Sequence, residues 1–205
     1  MSLRRLVQIL APTGIFFAAI AQAASDSSLR VQVTDENGVP VRDAVVEMHV
    51  PSRKSDTIRF PWRMAMAQKN EQFTPGTLIV AKGSTVAFPN LDRVRHSIYS
   101  FSKTARFEID LYGRDQSRSQ QFPIVGSVKL GCNIHDDMRG YIRVTDTPFA
   151  AKTDHNGYVD LAGMPTGGGQ LTIWHPRLRA PANELTQALV LRTGSQSRKV
   201  KVRLR

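Results

Sequence analysis

The sequence predicts an all-β protein, and three observations carry that expectation. Apolar and polar residues alternate in short runs, as in Leu29, Val31 and Val33, in Phe107, Ile109 and Leu111, and in Val200, Val202 and Leu204. That is the period of a half-buried strand. Turn-forming residues separate the runs at Asn37-Gly38, Lys82-Gly83-Ser84, Asn156-Gly157 and Gly167-Gly168-Gly169, because Gly and Asn tolerate positive φ. From Met64 to Val144 no segment has the period of a helix. Short strands with regular turns make a β-sandwich or barrel. With 205 residues, 41% hydrophobic and 22% charged, the chain is long enough for one large or two small domains and apolar enough to pack a core.

At the N-terminus, Arg4 and Arg5 precede an apolar run from Leu6 to Ile20, followed by Ala21-Gln22-Ala23-Ala24. This is the pattern of a cleaved secretory leader, residues 1–24. The run is short for a membrane span, so no stable membrane insertion is expected after cleavage. The mature chain is expected in the periplasm. The formal net charge is +11. In an exported protein that argues against nucleic acid and fits an acidic protein partner, an anionic surface or simple solubility.

Leu29 to Val33 reads as a strand, Asp35 to Gly38 as a turn, and Ala44 to Val50 as a second strand, together a hairpin. His49 falls on the outer face with Val45 and Glu47. Pro51 to Arg63 reads as a surface loop. Strands follow at Thr77–Ala81, Thr85–Phe88, Ser97–Phe101 and Phe107–Leu111. Gly113 to Gln121 is polar and reads as a loop. Ser127–Leu130 and Tyr141–Val144 flank the one cysteine. Met64 and Met66 read as core. Beyond Thr147-Pro148, strands are expected at Tyr158–Leu161, Gln170–Trp174, Leu185–Leu191 and Lys199–Leu204, with Lys199, Lys201 and Arg203 as a solvated stripe. Trp174 is expected in the core of this last region, and His155 and His175 at turns or strand ends.

The chemistry concentrates between Gly131 and Gly140. Cys132 is the only cysteine, so no internal disulfide is available. A free thiol in an oxidising compartment is a liability unless it is buried or metal-bound. His135 and Met138 follow at three-residue intervals. Thiolate, imidazole and a weak thioether are the ligands of a blue-copper site, which needs one further histidine. His96 stands at a loop-to-strand junction, whereas the other histidines lie outside the strand-rich middle of the chain. The candidate ligands are therefore His96, Cys132, His135 and Met138. Such a short loop has little slack and would reorganise little between Cu(I) and Cu(II). Ser97 is placed to hydrogen-bond the loop.

These residues resemble the cupredoxin family. The Cys-x2-His-x2-Met-Arg-Gly loop is as short as that of the amicyanin type and shorter than that of plastocyanins. Phe73 to Gly83 and Phe88-Pro89-Asn90 are similar to cupredoxin entry strands. His96-Ser97-x-Tyr99-Ser100-Phe101-Ser102, followed by the cysteine loop, is similar to exported cupredoxin-like proteins called methylamine-utilisation proteins. The resemblance covers roughly residues 64 to 145. It implies a Greek-key β-sandwich holding one type-1 copper. It also implies a one-electron partner such as a c-type cytochrome or a dehydrogenase. One departure is plain: Asp136 and Asp137 stand where amicyanin-like loops carry proline. Acidic groups there would favour a protonated His135 and interrupt an apolar docking patch.

The flanks are similar to a second family. Val31 to Val50, with Thr34-Asp35, Gly38, Pro40-Val41 and Asp43-Ala44, and Thr153 to Trp174, with Asp154, Gly157, Leu161 and Pro165, resemble two halves of a carboxypeptidase regulatory-like, or transthyretin-like, β-sandwich. The fold expected is thus a cupredoxin sandwich, residues 61–146, inserted into or fused with a small sandwich made of residues 25–60 and 147–205. The function expected is single-electron transfer between periplasmic partners. The alternative is copper delivery or assembly without electron transfer. An inert β-sandwich, a Cys132 nucleophile served by His96 or His135, and a zinc site, for which Met138 is a poor ligand, are weaker readings. No enzymatic activity is expected.

Overall fold

The computed structural model describes residues 26–51 and 57–205; the expected leader and Ser52 to Asp56 of the first loop lie outside them. Among the described residues there is no α-helix. The strands are β1 (Asp26–Thr34), β2 (Val45–His49), β3 (Ala67–Lys69), β4 (Gln72–Thr74), β5 (Thr77–Ala81) and β6 (Ser84–Pro89). Next come β7 (His96–Ser102), β8 (Ala105–Tyr112), β9 (Ser117–Phe122), β10 (Gly126–Gly131) and β11 (Arg139–Thr145). The last are β12 (Ala150–Lys152), β13 (Tyr158–Pro165), β14 (Gly167–Trp174), β15 (Glu184–Leu191) and β16 (Gly194–Lys201).

These strands build two cores. The middle of the chain forms a five-stranded sheet, β5-β11-β10-β7-β8, facing a layer in which β6 pairs with β9 and β3 with β4. Between them lie Met66, Phe73, Val86, Phe88, Ile98, Phe122, Val128, Leu130, Ile142 and Val144, all buried. The two ends of the chain meet to form the other sandwich. Its sheets are β13-β1-β16 and β12-β2-β14-β15, around Leu29, Val31, Val46, Met48, Leu161, Ile173 and Val200.

Three expectations are corrected here. β1 and β2 are not a hairpin: β1 pairs with β13 and, in parallel, with β16, while β2 pairs with β12 and β14. The intervening turn carries the chain from one sheet to the other. The polar stretch Gly113 to Gln121 is not all loop, because Ser117–Phe122 pairs with β6 along its whole length. Its outward polar side chains hide a strand whose inward contribution is small. The last strand is Gly194–Lys201 rather than Lys199–Leu204, with polar Gln196 to Lys199 held by parallel pairing to β1.

The expected outer face of β2 is also buried. Val45 and Glu47 are shielded because this face packs against the other unit's five-stranded sheet. Trp174, expected in the flanking core, lies at this junction with Val45, Ile79 and Ala150, its ring 5.7 Å edge-on from Tyr141. The described end of the first loop closes the junction: Phe60 and Trp62 stack at 4.7 Å and Trp62 Nε1 donates to the Ile79 carbonyl. At the centre Arg143 donates from Nε and Nη2 to the Glu47 carboxylate and from Nη1 to Glu184. With Arg143 4% and Glu47 1% exposed, neither charge is solvated, so each depends on the other. Arg143→Ala, which strands Glu47, is expected to cost about 3–5 kcal/mol in urea unfolding. Replacing both by leucine should recover most of that loss; equal losses in both variants would contradict the pairing.

Candidate metal centre

The site lies at one end of the middle sandwich, where β7 begins and β10 ends. Pairing of Tyr99 with Gly131 sets the first residues of β7 beside Cys132 and Asn133. Neighbouring strand residues normally point to opposite faces. A bulge between His96 and Ile98 breaks that rule. Both His96 and Ser97 therefore reach the cysteine. His96 Nδ1 lies 3.8 Å and Ser97 Oγ 3.9 Å from Cys132 Sγ. Ser97 Oγ also accepts the Asn133 N–H at 3.1 Å, so it steadies the loop.

The loop closes its own side of the site. The Met138 N–H donates to the His135 carbonyl at 3.0 Å, a tight turn that brings His135 Nδ1 to 3.9 Å from Sγ. Both loop ends are pinned by glycines under aromatic rings. A Cβ on Gly131 would fall 2.5 Å from the Tyr99 ring, and one on Gly140 would fall 2.9 Å from Phe73. Any larger residue would push the ring, and with it the loop end, out of place. Cys132 is 3% exposed and His96 fully buried, while His135 is partly open at the surface.

Of the four residues expected as ligands, the structure brings His96, Cys132 and His135 together, their donor atoms all within 4.8 Å of one another. Met138 is buried in the same apolar cluster as Cys132. The remaining histidines lie elsewhere: His49 is 3.8 Å from Asp146, His155 contacts Asn156, and His175 stands beside Arg177.

The loop before His96 is shaped from within. Buried Asn90 donates from Nδ2 to the carbonyls of Val94 and Tyr112 and accepts the Asp92 N–H. That turns the Asp92 carboxylate inward, where Oδ2 lies 2.8 Å from His96 Nε2. On the other side, Glu71 Oε2 lies 3.9 Å from His135 Nε2. Sequence reasoning missed both carboxylates. Asp92 had a faint signal, an acidic residue four positions before a candidate ligand. Glu71 had none, because it comes from the turn between β3 and β4.

The donor set fits a soft transition metal. Metal–nitrogen bonds of about 2.0–2.1 Å and a metal–sulfur bond of about 2.3 Å, set at trigonal angles, separate N from S by about 3.8 Å. The two S···N distances here, 3.8 and 3.9 Å, match that spacing and are long for hydrogen bonds. Electrostatics agree. Burial pushes the Cys132 thiol up, but the Ile134 N–H, His96, the Ser97 N–H and His135 outweigh it and bring it down to about 6. Asp92 is likewise held below the usual carboxylate range: burial opposes ionisation, and the N–H groups of Glu71 and Asn70 together with His96 prevail.

Comparison with known proteins adds likeness at the level of solved structures. No family model and no curated protein matches the chain. A reduced Cu(I) form of an amicyanin mutant at pH 4 is similar at 19% identity and a TM-score of 0.39, covering 49% of this chain and 98% of that one. A purple cupredoxin from Nitrosopumilus maritimus has 22% identity and a TM-score of 0.36, over 40% of this chain and 96% of its own. An oxidised amicyanin mutant has 18% identity and a TM-score of 0.38, over 50% and 99%. These likenesses assign no residue a role.

The Cys132 shift gives a measurable pH dependence. A thiol lowered from an ordinary value of 9.0 to about 6 stabilises the metal-free fold fully above pH 9, and loses that contribution as pH falls through 6. Ultraviolet thiolate absorbance of the metal-free protein should titrate near pH 6. A midpoint near the ordinary thiol value would contradict the geometry. Gly131→Ala should cost about 1–3 kcal/mol in thermal unfolding, as overpacking does.

Proposed function

We propose that this chain is an exported copper protein of the cupredoxin type, with His96, Cys132 and His135 as the strong ligands and Met138 as a weak fourth. The convergence of two Nδ1 atoms on one buried, ionisable sulfur carries this reading. Thiolate with two imidazoles and a long thioether is the type-1 ligand set. Copper held there would supply a one-electron couple. The protein's part is to shield the thiolate, fix both imidazoles and limit movement between oxidation states.

In this reading the protein passes single electrons between periplasmic redox proteins. Ile134, between two of the ligands, is exposed, and it shares a shallow hollow with Leu111, Arg95, Glu108 and Asp110. Leu91, Val94, Arg93 and Arg114 line another hollow beside Glu71 and Asp92. Both hollows mix apolar residues with charges of both signs, so it is the net charge of +11 that suits an acidic redox partner, such as a c-type cytochrome or a dehydrogenase, whose association rate should fall with added salt. The two sandwiches would then be one redox unit set within a split carrier domain. Copper delivery without electron transfer is the second reading. The carboxylate near His135 favours it, because an anionic group beside an outer ligand suits capture of a cation.

The test is the visible spectrum of the purified chain after adding Cu(II), beside Cys132→Ser. An intense sulfur-to-copper absorption, absent from the variant and bleached by a mild reductant, is the expected result. A colourless protein that binds Cu(I) would shift the assignment to copper handling. Binding of neither ion would overturn the copper reading.

A further inference from the structure

We propose that the β3–β4 turn and Asp92 form one brace that backs both imidazoles of the site with carboxylate, making Asp92 the positioning residue of His96. The inference rests on the metal reading above and extends it to what sets the state of the ligands.

The geometry is specific. Asn70 and Glu71 both have left-handed backbones, with φ of 54° and 56°. Successive N–H groups in such a turn converge on an anion. Here the anion is the Asp92 side chain: Asn70 N–H donates to Oδ1 at 2.5 Å and Glu71 N–H to Oδ2 at 2.9 Å. The same Oδ2 faces His96 Nε2 at 2.8 Å, with the Asp92 side chain only 11% exposed and the imidazole fully enclosed. An ionised carboxylate accepts hydrogen bonds and donates none. In the neutral ring the His96 proton therefore sits on Nε2, which leaves the Nδ1 lone pair facing Cys132 Sγ at 3.8 Å, a separation long for a hydrogen bond. The tautomer that metal binding needs is set before any metal arrives.

The brace has a second arm. Because Asp92 fixes the turn, the Glu71 side chain is carried to 3.9 Å from His135 Nε2. That is beyond direct hydrogen-bonding reach, and Glu71 is exposed, so its influence is electrostatic and screened by salt. Negative charge behind both imidazoles favours the more highly charged ion, Cu(II), over Cu(I). Asp92, fixed and enclosed, should exert most of this effect.

The test uses the full chain. In the metal-free wild type, long-range proton–nitrogen NMR at neutral pH should show His96 protonated on Nε2 and bare on Nδ1. The opposite tautomer would overturn the brace, and this result needs no variant to fold. Chelator competition then compares wild type, Asp92→Asn and Glu71→Gln for Cu(II) and Cu(I). Asp92→Asn is expected to lose about 10–100-fold in Cu(II) affinity and less for Cu(I), so its reduction potential rises. Glu71→Gln should shift the same way by a smaller factor that vanishes at high salt. An Asp92→Asn protein that binds both ions like the wild type would overturn the proposal. A wild type that binds neither ion would instead overturn the copper reading and the tuning role. In that case an Nε2 tautomer would still support Asp92 as the residue that positions His96.

Discussion

Keeping a thiol both buried and easily ionised is the constraint on which the site depends. Burial alone would hold Cys132 protonated; what brings it down is the Ile134 N–H together with a set of polar groups that cannot move away. The bulge in β7 supplies two of them, turning both His96 and Ser97 towards one sulfur. The short turn from His135 to Met138 supplies another. Tyr99 over Gly131 and Phe73 over Gly140 fix the ends of that loop. Each feature is a local piece of backbone or packing chemistry, and together they remove the slack that would let the donors separate.

The same rigidity extends behind the site. β11, which leaves the ligand loop, carries Tyr141 and Arg143 on its outer face. Both are engaged by the other sandwich, through Trp174 and through Glu47 with Glu184. A buried ion pair of this kind adds little net stability beside a well-packed apolar contact, but it tolerates few alternative arrangements. It ties β11, the strand on which one end of the loop hangs, to β2 and β15 of the other sandwich.

Much of this was legible in the sequence, and the limits have physical reasons. Alternation revealed the all-β class because half-buried strands must alternate. The loop stood out because cysteine, histidine and methionine at three-residue spacing serve few other purposes. What stayed hidden was whatever depended on partners distant in the chain. Glu47 was placed only by strand face, beside Val45 and His49, because nothing local announces that Arg143, far along the chain, pairs with it in the interior. β9 read as loop because its outward side chains are polar. The β1–β2 hairpin was inferred from a good turn sequence, yet the turn joins two different sheets. Asp92 and Glu71 escaped notice because their roles arise only when the β3–β4 turn folds against the loop before His96.

X-ray absorption at the copper edge, on the full chain loaded with one equivalent of metal, reads the ligand set directly. One short copper–sulfur distance and two copper–nitrogen distances from imidazole are expected, with the sulfur contribution absent from Cys132→Ser. A shell of nitrogen and oxygen alone, unchanged in that variant, would show that the metal does not sit among His96, Cys132 and His135.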